Sequence, residues 1–95
     1  MRTLCFTIER LEFVGSGRFM IAGRNCQDEL RRGDRLCIYN KTGTQSAAEF
    51  CVDEITWYDR TVQAVDHGHT AGLLFPNELA THVRLEDELH GQSDA

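Results

Sequence analysis

The side chains of this 95-residue chain that could do chemistry are four histidines, four cysteines and a large arginine set. His67 and His69 form an HxH pair, which on a strand puts two imidazoles on one side, as a metal site requires. A metal also needs a third ligand and a supporting shell, and neither His82 nor His90 has a recognisable ligand partner along the sequence. No metal site is expected. Cys5, Cys26, Cys37 and Cys51 stand 21, 11 and 14 residues apart, without the CxxC or CxH pair of a metal knuckle. Three of the four lie in apolar, strand-like runs, where Cys behaves as a small hydrophobe, so free and mostly buried thiols are expected. Cys37 in RLCIY and Cys51 in EFCVDE therefore read as inert. A nucleophilic Cys would need a His and an orienting carboxylate, which nothing in the order of residues specifies. Asp53-Glu54 and Glu86-Asp87-Glu88 read as solvated edges, and the chain is expected not to be an enzyme.

Two other groups point to binding. Trp57-Tyr58-Asp59-Arg60 joins the three residue types enriched at binding hot spots, at a strand end running into a loop. Trp57 could equally close the bottom of a barrel, whereas Tyr58, of opposite parity, is expected outside. With His69 in a nearby loop, Trp57, Tyr58 and Arg60 are the candidate partner-binding residues. The second group is Arg18, Arg24, Arg31, Arg32 and Arg35, beside the aromatics Phe19 and Tyr39, which could contact RNA or another anion. The net charge of −5 and a pI near 5.2 oppose binding to a phosphate backbone unless charge is segregated. Residues 1–45 carry eight basic against five acidic side chains, and residues 46–95 carry two against ten. Such an acidic balance steers a protein toward basic partners. The expectation is a non-catalytic protein–protein interaction module, an adaptor, regulator or neutralising partner. An RNA- or ribosome-associated factor using the Arg-rich hairpin is the alternative.

These residues need a scaffold. With 41% hydrophobic and 26% charged residues and a single Pro, the chain is neither disordered nor fibrous, and its length suits one core. No apolar run approaches the roughly 20 residues of a membrane helix, so a cytoplasmic protein is expected. LCFTIERLEFV alternates with a phase slip after Ile8, the mark of a bulged strand. Gly15-Ser16-Gly17 turns it into a second strand, Arg18 to Asn25. Asp34 to Asn40 forms a third strand, and SAAEFCVDEITWY a fourth whose phase slips near Asp53-Glu54. Residues 59–69 form a connection able to hold one helical turn. Ala71 to Phe75 is a buried fifth strand, VRLEDEL a sixth, and no internal repeat stands out. The pattern predicts one all-β domain over residues 1–95. It is a small, closed, six-stranded antiparallel, Greek-key-like β-barrel over about residues 4–90, followed by a flexible tail at 91–95.

The succession FTIERLEF, glycine turn, FMIAGR, LRRGDRL, DEITWY, HGHTAGLLF and VRLEDEL resembles the second domain of translational GTPases such as elongation factor Tu. The matched features are Ile8-Glu9, Gly23-Arg24, Leu30 to Gly33-Asp34, Val52 and Ile55, and Gly68 to Phe75, over about residues 4–90. Each is a scaffold feature; Gly33-Asp34, for instance, fits a turn in which Asp bonds neighbouring backbone amides. The resemblance implies a six-stranded β-barrel. It further implies that the surface around Gly17-Arg18 and His67-Gly68-His69 is where the family holds the acceptor end of aminoacyl-tRNA or touches ribosomal RNA. His69 replaces the acidic residue usual after the loop glycine. No GTP-binding loop is present, because GSGRFMIAGR lacks the lysine of GxxxxGK[ST]. Related barrels in flavin-dependent reductases use an Arg-x-Tyr-Ser/Thr signature that Tyr39 and Tyr58 do not complete, so no cofactor is expected.

Overall fold

The computed structural model describes residues 1–94. The strands are β1 (Arg2–Gly15), β2 (Arg18–Asn25), β3 (Leu30–Arg31), β4 (Arg35–Tyr39), β5 (Gln45–Cys51), β6 (Glu54–Trp57), β7 (Arg60–Val62), β8 (Ala64–Val65), β9 (Thr70–Pro76) and β10 (Glu88–Ser93). A 3-10 helix at Asn77–Thr81 follows β9. The all-β, antiparallel expectation is met, but the closed six-stranded barrel is not. Among the described residues one sheet runs β5-β4-β10-β1-β2-β9-β6-β7, and β3-β8 forms a separate pair. The sheet therefore ends in two edges, β5 and β7, with no pairing between them. One extra strand arises because the phase slip near Asp53-Glu54 is a corner and not a bulge; the others are β3, in the connection before Asp34, and β7 and β8, which occupy residues 59–69 in place of the expected helical turn. Before it, β5 pairs with β4; after it, β6 pairs with β9 and β7.

β1 is long enough to serve two neighbours. Its first half pairs with β10, from Arg2 opposite Ser93 to Thr7 opposite Glu88, and from Phe6 onward it pairs with β2, so Phe6 and Thr7 are paired on both sides. The bulge read from the sequence lies between Ile8 and Arg10, opposite Gly23. A Cβ on Gly23 would run into the Thr7 carbonyl oxygen, so the bulge requires glycine there. Leu4 and Phe6 precede the bulge and are buried, whereas Phe13 and Val14 beyond it are exposed. The core joins Leu4, Phe6, Ile21, Ile55, Leu73 and Phe75 with Leu36, Ile38 and Leu89, and the 3-10 helix adds Leu79.

The last strand is displaced from its expected place. Val83 to Asp87 form a turn, and β10 runs from Glu88 to Ser93, so Gly91, Gln92 and Ser93 of the expected tail are paired residues. The Arg84 N–H donates to the Asp87 carboxylate at 2.8 Å, and the Asp87 N–H donates to the Arg84 carbonyl at 3.0 Å. The same two bonds join Arg31 and Asp34, at 2.7 and 3.0 Å. LRRGDRL and VRLEDEL are thus two copies of one acid-closed turn, leading into strands β4 and β10 that pair with each other. Asp87 breaks the apolar alternation because it closes this turn.

Asp34 has a second role. Arg2 donates from both terminal nitrogens to its two carboxylate oxygens at 2.7 and 2.8 Å, and also bonds the Glu29 carbonyl and the Ser93 hydroxyl. Burial pushes the Asp34 carboxyl up, but the Arg2 bonds and the Arg31 N–H outweigh this and hold it below its usual value. Asp34→Ala is expected to cost about 2 kcal/mol, because it leaves the half-buried Arg2 guanidinium and the Arg31 N–H without their acceptor. Because the folded value is lowered, the carboxylate's contribution is complete above the unfolded value of about 3.9 and is lost as the pH falls through the folded value. Urea unfolding of both proteins between pH 7 and pH 2 checks this, and the gap between their stabilities should close on the acid side.

Candidate functional site

Trp57 and Arg60 are opposite each other in the β6–β7 hairpin, so only Tyr58 and Asp59 make the turn. Both have positive φ, 49° and 64°, the backbone of a type I′ turn, which matches the twist of the flanking strands. The turn leaves Tyr58 80% exposed and Trp57 40% exposed. Trp57 therefore does not close the bottom of a core. Its ring stands edge-on to Tyr58 at 4.8 Å and to His69 at 6.4 Å. Three of the four expected contact residues meet, and exposed Arg60 flanks them on the opposing strand.

Asn25, which the sequence reading passed over, positions His69. Its buried amide donates to the carbonyls of Asp28 at 3.0 Å and Val65 at 2.9 Å. Its backbone N–H donates to the His69 carbonyl at 2.9 Å, and its carbonyl accepts the Gly68 N–H at 2.7 Å. One side chain and its own peptide units thus fix the loop before β9. The hint in the sequence is slight, a polar residue closing a strand whose middle, Phe19 to Gly23, is apolar.

A groove of about 540 Å³ runs beside the hairpin tip, over β2 and β9, with Glu9, Glu12, Met20, Gly72, Trp57 and Tyr58 among its walls. A smaller apolar recess lies on the other side of Trp57, lined by Val62, Ala64, Val65 and His69. The indole is thus a ridge between two hollows.

The arginines divide. Arg31, Arg32 and Arg35 line one hollow, together with Asp34, Glu49 and Asp94. Arg31 is paired with Glu29 at 2.6 Å, and Arg32 donates to the Asp53 carbonyl at 2.8 Å. Arg18 lies apart, paired with Glu54 at 2.8 Å, and Arg24 sits on β2 opposite Thr7 and Thr70. The five do not form one patch.

His67 donates from Nδ1 to the Gln27 carbonyl, 3.1 Å away, and among the described residues it does not assemble a ligand set with His69. A different cluster does form. Cys5 Sγ is 3.7 Å from His90 Nε2, and Glu88 Oε1 is 2.9 Å from the same nitrogen. Cys37 is buried, but Cys5 and Cys26 are half-buried and Cys51 is exposed, so the expectation of mostly buried thiols fails. The outward parity of the strands turns them away from the core. No sequence spacing announces the cluster, since Cys5 and His90 meet only through β1–β10 pairing.

No family model matches the chain, and no curated protein matches it in sequence. Its backbone, however, is that of an all-β domain found in translational GTPases, in line with the resemblance in the sequence. Translation elongation factor SelB from Methanococcus maripaludis, in its apo form, superposes with a TM-score of 0.75 at 12% identity, over 95% of this chain and 19% of that one. GDP-bound aIF5B from Aeropyrum pernix superposes with a TM-score of 0.70 at 16% identity, over 95% of this chain and 15% of that one. The chain spans less than a fifth of either, and at such identities the likeness is one of fold.

Asn25→Ala is expected to destabilise the chain by about 2 kcal/mol, because two carbonyls lose a buried donor. Amide exchange should accelerate most at Asp66 to His69, measured against the strand amides of β1 and β2.

Proposed function

We propose that this chain is a non-catalytic, cytoplasmic protein-binding module that engages a basic segment of its partner at Trp57, Tyr58, Arg60 and His69. The observation that carries this reading is the pair of large aromatics held out of the core on a two-residue turn of fixed shape. Such residues supply contact area at little conformational cost, and an aromatic ridge beside hollows is the form of a hot spot. Glu9, Glu12 and Asp59 line the adjoining groove against one cation, Arg10, 3.8 Å from Glu12, and this balance with the acidic excess of residues 46–95 favours a basic partner.

Affinity purification with the wild-type chain, followed by titration of the retained partner, tests the reading. The double variant Tyr58→Ala, Arg60→Ala should fold normally by circular dichroism and bind about 30-fold more weakly, the effect of losing one hot spot of about 2 kcal/mol. Unchanged affinity discards this surface. The hollow around Arg31, Arg32 and Arg35 supports the second reading, RNA binding. RNA retained at low salt and released steeply as salt rises would favour that reading.

A further inference from the structure

His90 stands in the middle of a row that crosses three strands on one face of the sheet. Cys5 of β1 is opposite it on one side and Cys37 of β4 on the other. Directly opposed residues of antiparallel strands present their side chains to the same face. Cys26 continues the row, its N–H donating to the Cys5 carbonyl at 2.9 Å. Glu88, two residues before His90, reaches the same imidazole nitrogen. Cys5 Sγ, His90 Nε2 and a Glu88 carboxylate oxygen all lie within 4.8 Å of one another.

The geometry points to a divalent transition-metal site of the zinc class, built from Cys5 Sγ, His90 Nε2 and the Glu88 carboxylate, with water in the fourth position. Zinc bonds of about 2.3 Å to sulfur and 2.0–2.1 Å to nitrogen, at a tetrahedral angle, set the two ligand atoms about 3.5 Å apart. The observed separation is 3.7 Å, so these two atoms already have almost the spacing a metal imposes. Glu88 Oε1 is 2.9 Å from His90 Nε2, and its exposed side chain would move outward by about half an ångström from that nitrogen to reach the separation a tetrahedral metal imposes. Tyr39 stacks on the His90 ring at 4.3 Å and 17° and limits its rotation. Backbone pairing sets the spacing of the ligands, so they need not be gathered from a loop. A mixed sulfur, nitrogen and oxygen donor set suits Zn²⁺ or Co²⁺, whereas Mg²⁺ and Ca²⁺ take oxygen.

Protons complete the account. Burial, then the nearby Glu88 and Cys26, push the Cys5 thiol up to about 11, so without metal it is protonated and unreactive. On binding, the S–H bond breaks, its proton passes to water, and the sulfur–metal bond forms; His90 coordinates through Nε2 with its proton on Nδ1. No electron is transferred. The ion offsets the charges of the thiolate and of Glu88, and one proton is released per thiolate bound, so affinity should rise with pH. Cys5 and His90 are 85 residues apart, so the ion would staple the first strand to the last.

Titration of the reduced chain with Co²⁺ tests the site. One equivalent should produce a thiolate-to-metal charge-transfer band and tetrahedral d–d bands, both abolished by Zn²⁺, and Zn²⁺ should raise the melting temperature. Cys5→Ser should remove the charge-transfer band and the thermal shift. His90→Ala should weaken binding by at least about 10-fold. Glu88→Gln alters only an exposed side chain, leaves the fold intact, and should weaken binding about 10-fold while keeping the band. Cys51→Ser, on exposed β5, should change nothing. If the wild-type chain gives no charge-transfer band, the cluster is a Glu88–His90 hydrogen-bonded pair only. If the band survives Cys5→Ser, other thiols bind the metal adventitiously. Either result overturns the proposal.

Discussion

A buried carboxylate cannot be left without a counter-charge, and in this molecule that requirement ties three distant segments together. Asp34 closes the turn before β4 with its own backbone and then takes both arms of Arg2, whose remaining bonds reach Glu29 and Ser93. A desolvated pair of this kind adds little net stability compared with an apolar substitute, but breaking it is costly, so it acts as a positional constraint. It holds the start of β1, the end of β10 and the β3–β4 turn in one arrangement. The β1–β10 register that follows places His90 opposite Cys5, and the outward-facing side chains inherit their spacing from it.

The hairpin tip is governed by backbone conformation. Tyrosine and aspartate are each held in the left-handed region, which a side chain with a Cβ occupies at a cost of order 1 kcal/mol. The cost is tolerated because β6 is paired on both sides, with β7 and with β9, and cannot relax. Beneath the adjoining groove, a Cβ on Gly72 would lie 2.7 Å from the Thr56 hydroxyl and 2.8 Å from the Met20 sulfur. The glycine therefore lets those two side chains form the groove floor.

What the sequence disclosed was the local geometry. The glycine turn at residues 15–17, the bulge after Ile8 and the Asp-closed turn at Gly33-Asp34 depend on near neighbours, and each is where the residues put it. Closure of the sheet, the position of β10 and the split of the fourth strand depend on pairings between remote segments, which alternation cannot report. VRLEDEL has the apolar rhythm of a strand, yet its acid bonds its own backbone, and the rhythm belongs to a turn plus the first residues of β10. The candidate surface divided in the same way. Alternation placed Tyr58 outside, but the two-residue turn that exposes both it and Trp57, the support of His69 by Asn25 and the meeting of Cys5 with His90 required the fold.

Arg2 and Ser93 face each other on one rung of the β1–β10 ladder, so the first and last strands are neighbours in the sheet. β10, the last of the described strands in the sequence, is inserted between β1 and β4, and it is the only strand that joins the β4–β5 hairpin to the rest of the sheet. The assembly order therefore runs against the order of the chain: the sheet becomes continuous only when residues 88–93 take their place between strands that precede them.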